Sequence, residues 1–161
     1  MITPIDVALS QLGVRELTNK NDGVPAERYA GGRQEPWCSH FVLWCFQMCG
    51  FMFPGWVQPT PKRINPLAHV KTFHMRLTKE GYIVDHVDAG ENDIVIFNSR
   101  GDSDAGTGWH IGIVKEVVGG MVHTVEGNSS NGVHERAYPL TDKRIVAFAR
   151  HPGLRDNRLL G

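Results

Sequence analysis

The run WHIGIVKEVVGGMVHTVEGN, from Trp109 to Asn128, holds two stretches rich in β-branched residues on either side of a glycine pair. That pattern reads as a β-hairpin, with strands His110 to Val117 and Met121 to Glu126. If the loop is Val118-Gly119-Gly120 with Gly120 left-handed, Val117 pairs with Met121. Counting outward, Gly112 then faces Glu126 and His110 faces Asn128. Directly paired residues point to one side of a sheet, so His110, Glu126 and Asn128 are expected on one face, with His123 on the other. A two-residue Gly119-Gly120 turn would slip the register by one and separate Glu126 from His110.

Outward from the hairpin, Tyr82 to Val87, Asp93 to Phe97 and Ile145 to Arg150 are further short strand-like runs bounded by Gly, Asn and Asp. The first half of the chain differs. Thr3-Pro4-Ile5-Asp6 is a helix start, with Gly13 able to end the helix. Thr18 to Gly32 reads as loop with one short turn at Ala26 to Tyr29. Pro36 opens a second helix that runs to Gly50 and is apolar on nearly all sides, hence central. The prolines of Phe53 to Arg63 enforce irregular structure, after which Asn65-Pro66 starts a third helix ending near Gly81. Helices first and strands afterwards predict an α+β domain with an antiparallel sheet.

The 161 residues fit one domain, 1–161, with no linker or repeat marking a second and so no separate binding module expected. Seventeen basic and seventeen acidic residues balance, which argues against a nucleic-acid or anionic-lipid binder. The longest apolar stretch, Phe41 to Phe53, is too short to cross a bilayer. The first residues lack the basic and apolar regions of a signal peptide, so synthesis in the cytoplasm without general export is expected.

Cys38, Cys45 and Cys49 lie at helical spacing, poorly placed to bridge one another. Cys45 and Cys49 read as small core residues. Cys38 falls in the first turn of its helix, where free N–H groups and the positive end of the helix dipole favour a thiolate nucleophile. Such a nucleophile needs an imidazole. His40 points away around the helix, and His69 and His74 belong to the third helix. His86, His134 and His151 border turns or strand ends. His110 remains the better placed of the other two, entering its strand after Gly106-Thr107-Gly108-Trp109. Gly112 on its face would let the Cys38 helix approach closely. Glu126 or Asn128 suits the third role, holding the imidazole in one tautomer.

Glu35-Pro36-Trp37-Cys38-Ser39-His40-Phe41-Val42, Gly108-Trp109-His110-Ile111-Gly112-Ile113-Val114 and His123-Thr124-Val125-Glu126-Gly127-Asn128-Ser129 together resemble the CHAP family, the cysteine, histidine-dependent amidohydrolases/peptidases. That resemblance implies a papain-like fold and a peptidoglycan hydrolase, often a phage endolysin, either an N-acetylmuramoyl-L-alanine amidase or a peptidoglycan endopeptidase. It maps Cys38 to the nucleophile, His110 to the base, Glu126 to the residue orienting it and Asn128 to an accessory polar group. Trp37 and Trp109, with Trp56 a third candidate, are expected to wall a groove for a sugar-peptide substrate. The expected partner is bacterial peptidoglycan, met by a monomer without nucleic acid or membrane insertion.

No cofactor or metal is expected. Cys45 and Cys49 have no second ligand pair for zinc, and the loops holding Asp22 and Asp102 with Asp104 are thin candidates for calcium. The rival roles are an antibacterial amidase toxin, a virion-borne lysin and, in a different class, a non-catalytic cell-wall-binding module.

Overall fold

The computed structural model describes residues 1–154. Four α-helices, α1 (Pro4–Ser10), α2 (Val24–Tyr29), α3 (Cys38–Met48) and α4 (Val70–Lys79), precede nearly all of the sheet. The strands are β1 (Ile83–Val84), β2 (Ile94–Asn98), β3 (Trp109–Val118), β4 (Met121–Ser129), β5 (Gly132–Pro139) and β6 (Ile145–Ala149). They form one sheet in the order β1-β6-β2-β3-β4-β5, with every neighbouring pair antiparallel. This is the α+β architecture expected.

Alternation along the strands divides the interior in two. Ile94, Ile96, Ile111, Ile113 and Val125 face the helices and pack with Phe41, Val42, Cys45 and Phe46 of α3. Each such large side chain contributes about 1.5–3 kcal/mol on burial, and α3 is therefore the hub of the fold. The opposite face holds a smaller cluster of Val95, Phe97, Val114, Val122, Ile145 and Phe148. Sheet and helix meet most closely at Gly127, where a Cβ would lie 2.6 Å from Phe41 Cβ.

Several local readings differ from expectation. The second helix starts at Cys38, with Trp37 at its cap, and not at Pro36, and the short turn expected at Ala26 to Tyr29 is a helix beginning at Val24. The third helix begins as a 3₁₀ turn, Pro66–Ala68, before α4, with Asn65 Oδ1 accepting from Leu67 N–H. The expected first strand is cut to two residues and continues into a 3₁₀ turn, His86–Asp88. Strand β5 was not expected, because its outward half is polar and only Val133 and Tyr138 carry a strand signature.

The β3–β4 hairpin reaches the expected pairing by a different route. Val118 pairs with Met121, so the turn is the two-residue Gly119-Gly120 alternative, with φ of 58° and 75°. Taken alone it would slip the register. However, Lys115 bulges from β3 between the Val114–Thr124 and Glu116–His123 pairs, and Ile113 pairs with Val125. The bulge cancels the slip, and Gly112 comes opposite Glu126 as a three-residue loop would have placed it.

Candidate active site

The turn that carries Cys38 is held by contacts to neighbouring segments. Trp37 caps α3, Cys38 is its first residue, and Phe41 N–H donates to Trp37 O at 2.8 Å. Neighbouring side chains tie that turn down. Trp37 Nε1 donates to the buried Glu16 at 2.8 Å, Ser39 Oγ to Leu67 O at 2.5 Å, and His40 Nε2 lies 3.0 Å from Glu35 Oε1. Glu35 also accepts from Arg33 Nε at 2.7 Å. Burial, only partly offset by Glu35, holds the His40 imidazole below its ordinary pKa, so it is a neutral anchor at neutral pH. Glu16 and Glu35 were not read from sequence as parts of the site.

His110 is the second residue of β3, and its ring lies near-parallel to Phe97, 6.0 Å between centroids. Its Nε2 is 2.8 Å from Glu126 Oε1. Cys38 is near enough to the same ring to favour its charged form, and Nδ1 is the nitrogen that Glu126 leaves free. Burial alone would lower the His110 pKa. The hydrogen bonds to Cys38 and Glu126, followed by their charges, outweigh it and hold the group at about 10.

Glu126 is 1% exposed. Burial pushes its carboxyl up, but His110, Thr124 and Tyr138 more than compensate and bring it below the ordinary range. Thr124 Oγ1 donates to Oε2 at 2.5 Å and Tyr138 Oη donates to Oε2 at 2.8 Å. Tyr138 in turn is pushed above its ordinary pKa by burial and by the Glu126 charge. Thr124 shares a strand face with Glu126 and was open to detection two residues away. Tyr138 was not, because it sits on the unexpected strand β5.

Cys38, His110 and Glu126 are thus brought together, and His123 points to the other face of β4, as expected. The shared face of His110 and Glu126 is nevertheless opposite to the one α3 covers, contrary to the expectation that it would turn toward the helix. Cys38 comes near the imidazole because it stands at the start of the helix, beside the Gly106 to Trp109 entry of β3, instead of lying over the sheet. Gly112 also has another purpose: a Cβ there would come 2.7 Å from Glu126 Cγ. It makes room for the carboxylate, and Gly127 makes room for the helix.

Asn128 has φ of 54° where the β4–β5 register shifts, and among the described residues its side chain makes no hydrogen bond. It does not hold His110. Trp37 is fully buried and stacks on Tyr29 at 5.5 Å between centroids, so it is core and cannot wall a groove. Trp109 does line the cleft at Cys38, its Nε1 donating to Ala105 O at 2.9 Å. Trp56 lines a separate recess beside Tyr29 and His40.

Both oxygens of Asp22 accept from Thr18, and Asp102 Oδ1 accepts from Asp104 N–H, so these carboxylates serve their own loops. Among the described residues no group of three or more His, Cys, Asp or Glu is arranged to hold a metal. Burial raises the thiol pKa of Cys45 and Cys49, which makes them poor nucleophiles.

A helix-start cysteine, an imidazole paired to it and a buried carboxylate behind the imidazole define the class of cysteine hydrolases with a papain-like triad. The CHAP domain model matches residues 29–128, which is more than half of the chain and contains all three groups, and the chain belongs to the CHAP family. No curated protein matches. Among solved structures, "The crystal structure of Ly7917" is similar with a TM-score of 0.52 at 17% identity, covering 92% of this chain and 61% of that one. The likeness bears on the fold, and this chain spans about three fifths of that chain's length.

Proposed function

We propose that the chain hydrolyses amide bonds of bacterial peptidoglycan through a thioester on Cys38, as an N-acetylmuramoyl-L-alanine amidase or a peptidoglycan endopeptidase in an endolysin-like role. The observation that carries this reading is the 2.8 Å bond from His110 to the buried Glu126, together with the influence of Cys38 on the same imidazole. Family membership supports a hydrolase of the amidase or peptidase kind.

In this mechanism the Cys38 thiolate attacks the amide carbon, and the carbonyl electron pair moves onto oxygen. Backbone N–H groups of the first turn of α3, that of Cys38 included, have no intrahelical acceptor and can donate to the oxyanion. Collapse breaks the C–N bond as His110 gives its proton to the departing amine. His110 then takes a proton from water, whose oxygen attacks the thioester. The acid leaves and the thiolate–imidazolium pair is restored. Glu126 keeps its charge throughout and holds the ring in place.

The test is mass spectrometry of products from purified peptidoglycan. New amino termini in the stem or cross-bridge identify an endopeptidase, and free lactyl groups with intact stems identify an amidase. Intact walls after incubation with folded protein would refute the reading and favour a module that only binds.

A further inference from the structure

Two recesses meet at Gly108. One, of about 160 Å³, lies on the His110 side with Phe97, Tyr138 and Arg144. The other, of about 360 Å³, opens on Cys38 between the start of α3, the turn from Ala68 to Lys71 and the loop from Gly106 to Trp109. The chemistry assigns their contents. The leaving amine must lie near the imidazole that protonates it, and the acyl half, bonded to sulfur in the intermediate, must extend into the cleft at Cys38.

The charge of the two recesses differs. Arg144 on the amine side is neutralised by Asp142, with contacts of 2.7 and 3.1 Å. On the acyl side the lining includes Lys71 and His69 and no carboxylate. Lys71 Nζ donates to the main-chain oxygen of Asp104 at 3.0 Å, which fixes the ammonium across the cleft and leaves it two further donors. Among the described residues it has no ion-pair partner, as is true of most lysines and arginines here; what sets it apart is its place in the lining of the Cys38 cleft. The carboxylates of Asp102 and Asp104 are on exposed residues outside the lining. A positive group lining the same recess as Cys38 without a counterion is suited to an anion brought by the substrate.

We infer that Lys71, assisted by His69, recognises a carboxylate on the acyl side of the scissile amide, so that the preferred substrate is an anionic peptide segment. Of the two proposed activities this selects the endopeptidase, since the acyl half of the amidase substrate is a lactyl group with no free carboxylate. The inference rests on the thioester reading for its assignment of acyl and amine sides, while the anion subsite itself can be tested without any hydrolysis. The probe is alkylation of Cys38 in the full chain by iodoacetate and by iodoacetamide, which differ in one carboxylate. Peptide mass mapping separates Cys38 from Cys45 and Cys49. In Lys71→Met the rate ratio of iodoacetate to iodoacetamide should fall by about three- to fivefold, the effect of one partly screened charge within the same recess. Lys71→Arg should restore the ratio, and His69→Gln should lower it less.

A ratio unchanged in Lys71→Met, or an equal slowing with both reagents, overturns the inference. With peptide substrates, Lys71→Met should raise KM for an acyl segment bearing a free carboxylate and leave its carboxamide counterpart unaffected. Wall hydrolysis with a Lys71-independent ratio defeats this inference alone. A Lys71-dependent ratio in a protein that leaves walls intact defeats the hydrolase reading and upholds the anion subsite.

Discussion

Replacing Glu126 by Gln removes one charge from the site while keeping its shape. The carboxylate receives Tyr138 and Thr124 hydroxyls and stands 2.8 Å from His110 Nε2. A hydroxyl can donate or accept, so a glutamine amide is satisfied in either orientation and the fold should survive. The rise of His110 from 6.5 to about 10 is worth roughly 4–5 kcal/mol in favour of the imidazolium, shared between Cys38 and Glu126. Loss of the Glu126 charge and of the tautomer it enforces should lower kcat/KM by up to about 10⁴-fold. The imidazolium is the form lost on the alkaline side, so the upper limb of the pH–rate profile should move to lower pH.

Stability gives an independent readout. His110 is raised, so its contribution is complete below 6.5 and disappears as pH climbs through about 10. Glu126 is lowered, so its contribution is present above 4.5 and is lost as pH falls further. The Tm difference between wild type and Glu126→Gln should therefore be largest between these values and shrink toward pH 10. The assay pairs turbidity clearing of purified walls with thermal melts across pH. A folded Glu126→Gln protein within threefold of wild-type activity, with the same alkaline limb, would falsify the assignment of Glu126.

Cys38→Ala should abolish wall clearing with unchanged circular dichroism, and Cys45→Ala should keep activity while losing roughly 1 kcal/mol or more on denaturant titration. Gly127→Ala forces a methyl against Phe41 and should lower stability by about 1–3 kcal/mol, read from the urea midpoint. Asp93→Asn breaks a bidentate pair in which Arg150 Nε and Nη2 each lie 2.7 Å from a carboxylate that is itself buried, and should cost about 3–5 kcal/mol in the same titration. EDTA should leave wall clearing intact; elimination of activity with recovery on adding Ca²⁺ would show that a calcium site supports the chemistry.

Local chemistry made much of the molecule legible in the sequence. A cysteine two residues after Pro36 must sit near a helix start, and paired glycines between β-branched runs must turn a hairpin, because both follow from the backbone preferences of a few adjacent residues. The α+β order and the pairing of Cys38 with His110 came from the same level of reasoning, which left Glu126 and Asn128 open as the third group until the family resemblance favoured Glu126. What tertiary structure decided were matters of register and burial. The turn is one residue shorter than expected, and only the Lys115 bulge returns Glu126 to Gly112, a cancellation that no propensity encodes. Tyr138 reaches Glu126 from a strand whose own sequence is too polar to announce itself. Trp37 and Trp109 look alike beside their catalytic neighbours, yet one is sealed against Tyr29 and Glu16 and the other lines the cleft. Composition does not separate them, because burial is a property of what packs on a residue and that is determined by chain segments distant in sequence.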